Sequence, residues 1–220
     1  MHISDCFYVR RCPVCGELIP LNNEFCSCSA QPARHAPQEL FPLTDDPYDA
    51  QLCFSAPFYY DGIIRQQLLS FKFQNRPSLA KPLGLAMAAH AATVFSDVSF
   101  DCVTFVPMAA DDLRNRSFNQ SALLAQWVAR TIFIQCSALL EKVKLTPTQH
   151  TLTVNERLRN LEGAFQPTAL VKPNMTVLLC DDIKTTGTTL RRCRDTLLAA
   201  GVKEVYCLSC AMSDYASLDF

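Results

Sequence analysis

Short apolar runs alternate with stretches of helical periodicity through the chain after residue 50. Apolar runs bounded by turn residues predict strands, and the amphipathic stretches between them predict helices. Strands are predicted over residues 52–60, 100–106, 139–145, 177–180 and 205–210, and helices over 62–72, 82–95 and 190–200 and after Asn119. Asn119 is the predicted N-cap of the helix that follows it. Pro57 lacks a backbone donor and therefore predicts an edge position for the first strand. The alternation predicts an α/β fold, with a parallel sheet flanked by helices.

The stretch 177–201 has the clearest pattern. Its first four residues are apolar and predict a strand buried on both faces. Asp181 and Asp182 follow, then a threonine-rich loop around Gly187, and then helical spacing that ends at Gly201. This order places the backbone N–H groups of residues 185–189 at a helix N-terminus, where a phosphate group is stabilised by unpaired donors and the helix dipole.

The two adjacent carboxylates need partners if a phosphate group binds beside them. Ribose hydroxyls or a hydrated metal ion would supply those partners, so Asp181 and Asp182 followed by the loop describe a site for a ribose 5-phosphate. The alternative is an ordinary helix start at which acidic residues favour the dipole. The doubled aspartate and the run Thr-Thr-Gly-Thr-Thr favour the binding interpretation.

Other candidate anion contacts lie earlier in the chain. Ligands bind at the carboxyl ends of strands in parallel α/β sheets, where Pro107, Met108 and Ala109 follow the predicted strand 100–106. Lys72 and Arg116 (with Arg114 nearby) are the candidate cations for a pyrophosphate group. Taken alone, such residues are more often a helix-dipole partner and surface charges.

Composition limits the class of protein. The 220 residues suffice for one α/β domain with a small appendage. The formal net charge of −1 provides no overall positive field for nucleic acid, so any DNA contact would be a local patch. No long apolar run occurs, and no apolar segment follows Met1. We therefore expect a soluble, cytoplasmic protein with no membrane insertion.

Cysteine placement predicts a reducing compartment with one metal site rather than a disulfide framework. Of the twelve cysteines, those after residue 50 lie within predicted strands or helices, as small buried residues do. The others precede residue 30, and four of them suit a structural tetrahedral zinc site: Cys12, Cys15, Cys26 and Cys28. The short Cys-x-Cys spacing of the second pair leaves three spare candidates: Cys6, His2 and His35. The alternative is a set of reduced surface cysteines.

Residues 177–189 resemble the phosphoribosyl-pyrophosphate (PRPP) signature of type I phosphoribosyltransferases, in which four apolar residues, two acidic residues and a Thr/Gly loop follow one another. In that superfamily the acidic pair holds the ribose hydroxyls and the loop holds the 5′-phosphate. The resemblance implies these roles for Asp181 and Asp182 and for the loop residues Thr185, Thr186, Gly187, Thr188 and Thr189.

Over nearly its whole length the chain resembles the ComF family (the ComFC/GntX-like group). The matching pieces are the N-terminal cysteine knuckle, residues 60–65, 72–73, 106–107, 116 with 118–120, 146 with 149, 157 with 160, 163–165 and 181–189. The resemblance implies a zinc-ribbon-like element at 1–31, a linker at 32–50 and, at 51–220, a type I phosphoribosyltransferase-like domain. It also implies a role in natural competence, DNA uptake or use of external DNA.

Residues 146–156 lack apolar periodicity and predict a mobile loop. A flexible loop with a nearby cation suits phosphoribosyl transfer, because water must be excluded and the departing pyrophosphate neutralised. Gln149 and Arg157 are the candidate residues there. His150 as a general base is the weaker interpretation, since a loop histidine without a partner is more often solvated.

Two functions are consistent with this resemblance. The first is an enzyme that transfers the phosphoribosyl group of PRPP, bound with Mg²⁺, to an unidentified acceptor. The second is a non-catalytic PRPP sensor or scaffold that contacts single-stranded DNA, a competence helicase or translocase, or a recombination partner. Four residues depart from the family pattern: Met108, Ala109, Ser117 and Lys184. Met108 and Ser117 lie in the predicted pyrophosphate loop.

Overall fold

The computed structural model describes residues 33–44, 51–143 and 163–214. The strands of their main sheet are β1 (Phe41–Pro42), β2 (Leu52–Ser55), β3 (Phe58–Tyr59), β4 (Cys102–Phe105), β7 (Thr176–Lys184) and β8 (Glu204–Met212). The strand order is β1-β2-β8-β7-β4, and β3 also pairs with β8. All of these pairings are parallel except β1 with β2. Strands β5 (Leu140–Lys142) and β6 (Phe165–Pro167) form a separate antiparallel pair.

Helices cover both faces of the main sheet. They are α1 (Gly62–Phe73), α2 (Ala80–Val94), α3 (Ala110–Arg116), α4 (Gln120–Thr131) and α5 (Thr188–Ala199), with a 3-10 turn at Pro77–Leu79. The prediction of an α/β fold with a parallel sheet flanked by helices is confirmed. None of the helices in these ranges has the length and apolarity needed to cross a bilayer.

Alternation along β7 divides the core into two layers. Leu178 and Cys180 pack with α1, α2 and α4, whereas Val177 and Leu179 pack with α5 and the β5–β6 pair. All four side chains are fully buried. A fully buried aliphatic side chain contributes about 2 kcal/mol to folding, so this strand stabilises both layers. The predicted strand buried on both faces is confirmed.

Several predicted boundaries were wrong. The strand 52–60 divides at Ala56-Pro57 into β2 and β3, and β2 lies between β1 and β8 rather than at the edge. Strand β7 continues through Asp181 to Lys184, because β8 offers ladder partners as far as Met212. Helix α3 occupies residues that the sequence pattern left as a loop.

Residues 33–44 are held against the sheet. Strand β1 pairs with β2, His35 forms a bridge to Phe58, and Arg34 makes ion pairs with Asp61 and Asp214. Leu43 is fully buried. The domain boundaries at 31 and 50 remain predictions, since residues 1–32 and 45–50 lie outside the described residues.

Candidate functional site

Asp181 and Asp182 lie near the carboxyl end of β7, where this strand still pairs with β8. Asp181 is opposite Ser209, and the pairing continues at Ile183 and Lys184. The two residues are only 9% and 7% exposed. Burial of two adjacent carboxylates is costly unless each finds a donor or a cation, so their partners decide how the site is built.

The Asp181 carboxylate is held by two neutral donors. The Ser121 hydroxyl donates to Asp181 Oδ1 over 2.7 Å, and the backbone N–H of Asp182 donates to the same oxygen over 2.8 Å. Burial, followed by the charge of Asp182, raises the pKa of Asp181 to about 7, although both hydrogen bonds oppose the shift. Asp181 therefore changes charge near neutral pH.

Asp182 has a cationic partner. Lys72 Nζ lies 2.8 Å from Asp182 Oδ2, and the Lys72 side chain is 24% exposed. Lys72 is in the last turn of α1, where a basic residue also complements the helix dipole. The structure thus brings the predicted Lys72 to the aspartate pair, as an ion-pair partner of Asp182.

The threonine loop turns from β7 into α5 at Gly187. This residue has φ +75° and is the N-cap of α5. A Cβ at Gly187 would overlap the backbone oxygen of Leu43. The Thr186 and Thr188 hydroxyls are 2.9 Å apart. Glycine is required here because the backbone is left-handed and because Leu43 occupies the space that a side chain would need.

A small cavity of about 40 Å³ lies against this loop and is called the loop cavity here. It is lined by Asp181, Ile183, Lys184, Thr185, Thr186, Gly187, Thr188, Thr189 and Leu190. All five predicted phosphate-loop residues therefore meet at one opening. That opening lies at the N-terminus of a twelve-residue helix, the position at which backbone donors favour an anion.

A larger opening of about 250 Å³, called the cleft here, lies beside the loop cavity. It is lined by Lys72, Val106, Pro107, Met108, Asp112, Arg116, Asn119, Gln120, Ser121, Lys142, Asp181, Asp182, Ile183 and Thr189. The two openings share Asp181, Ile183 and Thr189. An elongated ligand could therefore occupy both and pass over the aspartate pair.

The predicted pyrophosphate residues are largely brought together. Lys72, Pro107, Met108 and Arg116 line the cleft, whereas Ala109 does not and forms the N-cap of α3. Arg114 is exposed and is not among the residues that line the cleft.

Ser117 ends α3 in a left-handed conformation. Its φ is +64° and its N–H donates to the Leu113 carbonyl. This conformation costs a non-glycine residue about 1 kcal/mol. The departure from the family pattern at Ser117 therefore falls where a glycine would fit without strain.

Sequence reasoning missed four polar residues that line the cleft: Asp112, Gln120, Ser121 and Lys142. Asn119 is confirmed as the N-cap of α4, since its Oδ1 accepts from the Ala122 N–H over 3.2 Å. Its Nδ2 donates to the Val106 carbonyl over 3.0 Å and so ties the start of α4 to the end of β4. The sequence signal that could have identified Gln120 and Ser121 was the predicted N-cap Asn119, because the helix that it begins follows the predicted strand that ends at residue 106.

An aromatic and cationic pair lies beside the cleft. Arg116 Cζ is 5.3 Å from the centre of the Phe73 ring, and Phe73 is 65% exposed. The two residues are far apart in sequence but meet because α1 and α3 end side by side. An exposed ring stacked with a guanidinium is a surface on which a planar group can stack.

Most of the remaining candidate residues for the metal site and the mobile loop lie outside the described residues. Gln149 and Arg157 lie outside the described residues, as do Cys12, Cys15, Cys26 and Cys28, along with Cys6 and His2. The spare candidate His35 is exposed and its ring lies 5.0 Å from that of Phe58. No cluster of three metal-ligating side chains occurs within residues 33–44, 51–143 and 163–214.

The aspartate pair fits Mg²⁺ better than it fits an all-protein metal site. Mg²⁺ typically takes one or two carboxylates and completes its shell with water and ligand oxygens. Asp181 and Asp182 supply that number of carboxylates on the wall of the cleft. A cation there would also offset part of the effect of burial and of the repulsion from Asp182, which raise the pKa of Asp181.

The cysteines after residue 50 are structural. Cys53, Cys102, Cys180, Cys193, Cys207 and Cys210 are buried, Cys136 is half-buried, and none of them forms a disulfide in the described part of the chain. Burial raises the pKa of Cys136 to about 11. The prediction that these thiols behave as small buried residues is confirmed.

Lys184 lies under the loop rather than in the solvent. It is 6% exposed, and its Nζ is 5.2 Å from the centre of the Phe54 ring. The long apolar stem of a lysine fills space that a small or apolar residue would fill. This departure from the family pattern is therefore accommodated by the aromatic face of β2.

Comparison with known proteins gives homologues but no matching family model. The chain is 28% identical over 203 residues to a protein named DNA utilization protein YhgH from Escherichia coli K12, covering 90% of this chain and 88% of that protein. It is 34% identical over 143 residues to Competence protein F from Haemophilus influenzae, covering 61% of this chain and 62% of that protein. These matches confirm the resemblance to the ComF family.

Among solved structures, a glutamine PRPP amidotransferase from B. subtilis complexed with ADP and GMP is similar to this chain. It has 22% identity and a TM-score of 0.47, and the similarity covers 65% of this chain and 30% of that one. A similarity at this level transfers no substrate and no residue role.

Proposed function

We propose that this chain binds PRPP with Mg²⁺ and transfers the phosphoribosyl group to an acceptor that is still to be identified. Because its homologues are named DNA utilization protein YhgH and Competence protein F, we place this activity in DNA uptake or the use of external DNA, in the cytoplasm. The observation that carries the proposal is the junction of the loop cavity and the cleft at Asp181 and Thr189.

The junction of the two openings supports a ligand with a phosphate at each end, such as PRPP. One phosphate fits the loop cavity, where the N-terminus of α5 and the threonine hydroxyls supply donors. The ribose then lies over Asp181 and Asp182, whose oxygens accept hydrogen bonds from its 2′ and 3′ hydroxyls. The pyrophosphate extends into the cleft toward Arg116 and Lys142. In this arrangement each charged part of the ligand meets groups of the opposite character.

The residues of the chain have separate tasks in this proposal. Lys72 holds Asp182 in place before the ligand binds, and Ser121 does the same for Asp181. Arg116 and Lys142 stabilise the charge that develops on the departing pyrophosphate. Asp181 and Asp182 would hold Mg²⁺ beside the ligand, where the cation would neutralise part of the charge of the pyrophosphate. The predicted loop with Gln149 and Arg157 would exclude water from the reaction.

Calorimetry with PRPP and Mg²⁺ tests the pocket. We expect the double variant Asp181→Asn/Asp182→Asn to bind PRPP at least about 30-fold more weakly than wild type, because two charge-assisted contacts are lost. Asp97→Asn is the matched control, since Asp97 is exposed and outside the cleft. Equal affinity in the double variant and the control would end the proposal of a PRPP pocket.

The acceptor requires a separate experiment. Release of pyrophosphate from PRPP is measured in the presence of single bases, amines, nucleotides and single-stranded DNA, one class at a time. An active enzyme gives release with one class, and the double aspartate variant abolishes it. Tight PRPP binding without release for any class would instead favour a sensor.

The sensor function is the second candidate, and the pair Phe73–Arg116 favours it. The exposed ring and its guanidinium, next to Lys72, combine the stacking and the positive charge that single-stranded DNA requires. In this alternative the chain keeps the PRPP pocket and contacts DNA or a partner of the DNA-uptake machinery. Phe73→Ala should then weaken single-stranded DNA binding while PRPP affinity stays unchanged.

We also propose that the N-terminal cysteines hold a structural Zn²⁺. The support is their number and spacing, which suit a closed tetrahedral site. Metal analysis should find about one zinc per chain, and the paired variant Cys12→Ser/Cys15→Ser should lose it. Undiminished thermal stability after complete removal of metal would contradict a structural role.

A further inference from the structure

Gln120 is a buried amide with an unused donor. It is the first residue of α4, only 1% of its surface is exposed, and it lines the cleft. Its Nε2 group has no hydrogen-bond partner within the described residues. A buried amide without a partner destabilises a folded protein, and the described residues supply no partner for this group.

The surroundings of Gln120 indicate the chemistry of that partner. The N-terminus of α4 faces the same opening, and its Asn119 cap satisfies one backbone donor, that of Ala122. Arg116 and Lys142 line the cleft as well. Donors, a helix N-terminus and cations together favour an oxygen of a negatively charged group.

The position of Gln120 in the cleft indicates which part of a ligand its amide can contact. Gln120 lines the cleft but not the loop cavity, whereas Asp181, Ile183 and Thr189 line both. A ligand with a second anionic group beyond the aspartates would extend into the cleft that Gln120 lines.

We propose that Gln120 donates a hydrogen bond to an oxygen of the pyrophosphate group and so distinguishes PRPP from ribose 5-phosphate. This assignment rests on the proposed function and adds a specificity residue to it. The amide is neutral, so it can approach the pyrophosphate next to Asp181 and Asp182 without adding to the charge of the site.

Titration of two ligands into wild type and two Gln120 variants tests the assignment. PRPP and ribose 5-phosphate are titrated separately, each with Mg²⁺, into wild type, Gln120→Leu and Gln120→Glu. We expect Gln120→Leu to bind PRPP about tenfold more weakly and ribose 5-phosphate within twofold of wild type. Gln120→Glu keeps the size of the side chain but replaces the donor with a negative charge, so its loss of PRPP affinity should be larger.

Gln67→Leu is the matched control. Gln67 is also a buried glutamine, 3% exposed, whose Nε2 has no partner in the described structure, but it lies on α1 and does not line the cleft. Both leucine variants replace a buried amide with an apolar group, so both should fold with little loss of thermal stability. Only Gln120→Leu should change the ratio of the two affinities.

The outcomes separate this inference from the proposed function. Wild type that binds neither ligand overturns both. Wild type that binds both, with an unchanged affinity ratio in Gln120→Leu and Gln120→Glu, overturns the role of Gln120 and leaves the pocket standing. An equal loss of both ligands also overturns it, because the specificity claim requires the loss to fall on PRPP alone.

Discussion

The cleft at the carboxyl ends of the strands and an apolar groove at the opposite end of the sheet differ in size and in chemistry. The groove lies between the ends of α2 and α4 and measures about 530 Å³, against about 250 Å³ for the cleft. Its walls are apolar except for Ser96, Ser99 and Thr131. The cleft has six ionisable side chains on its walls: Lys72, Asp112, Arg116, Lys142, Asp181 and Asp182.

The larger of the two openings is therefore the one with fewer polar groups, so volume does not identify the opening that carries charge. Gly84 packs closely against Trp127 where α2 meets α4, and the groove lies toward the C-terminal ends of both helices. The cleft results from charges and donors that cost stability and have no purpose in packing alone. Substitutions at the two ends should therefore have different consequences.

The largest effect is expected at Gly187, under the loop cavity. Gly187→Ala must adopt φ +75° and displace the Leu43 carbonyl, so we expect a loss of about 3 kcal/mol in unfolding free energy. PRPP binding should be lost with it. Gly62→Ala is the control, because Gly62 has φ +43° but no neighbour within 4 Å of an added Cβ. Urea unfolding of the two variants separates overlap from conformational strain, and equal losses would contradict overlap with Leu43.

A second effect concerns pH. The pKa of Asp181 is raised to about 7, so the carboxylate is largely protonated at pH 6 and largely charged at pH 8. If the charged form binds the Mg²⁺ complex, PRPP affinity should rise about tenfold over this range. Ser121→Ala removes a hydrogen bond that lowers the pKa, so the midpoint should move to higher pH.

Calorimetry at several pH values measures this midpoint. Ser96→Ala, in the apolar groove, is the control and should leave the midpoint unchanged.

The raised pKa of Asp181 also has a consequence for stability. The unfolded chain titrates Asp181 near 3.8 and the folded chain near 7, so the folded state binds the proton more tightly. The contribution of Asp181 to stability should fall as the pH rises from about 4 to 7.

A smaller effect is expected at the end of α3. Ser117 has φ +64°, and Ser117→Gly removes the strain of that conformation. We expect a gain of about 0.5–1 kcal/mol in unfolding free energy, measured by urea unfolding. A loss of stability instead would show that the serine side chain contributes more than its backbone conformation costs.

The smallest effect is expected in the apolar groove. Ala92→Leu adds apolar volume at an exposed position on its wall. We expect a change within about 0.5 kcal/mol in unfolding free energy and PRPP affinity within twofold of wild type. A clear loss of PRPP affinity would show that the groove and the cleft are coupled. It would contradict the expectation that substitutions at the two ends of the sheet have different consequences.

The sequence was informative where one segment contains its own signal. Strand β7, the turn at Gly187 and helix α5 follow directly from residues 177–200, because apolar runs, glycine and helical spacing are local properties. Asn119 was predicted as a cap for the same reason. By contrast, the contacts of Ser121 with Asp181 and of Lys72 with Asp182 join segments 60 and 110 residues apart, and no local pattern predicts them.

Local sequence patterns also do not predict irregular and short elements. β1 has only two residues, and β6 has three and depends on β5 for its hydrogen bonds. Gln120 is polar at a helix start, which by itself indicates an exposed residue. It is buried because α4 begins against the end of β4, and that packing is a property of the whole fold.

The Leu43 carbonyl beneath Gly187 has a practical consequence for shortening the protein. A truncation that begins at residue 51, where the apolar pattern starts, would remove β1, the buried Leu43 side chain and the Arg34 anchors to Asp61 and Asp214. The Leu43 carbonyl that lies against the turn at Gly187 would then be missing. A minimal fragment that keeps this turn intact has to retain residues 33–44, even when the cysteine-rich beginning is cut away.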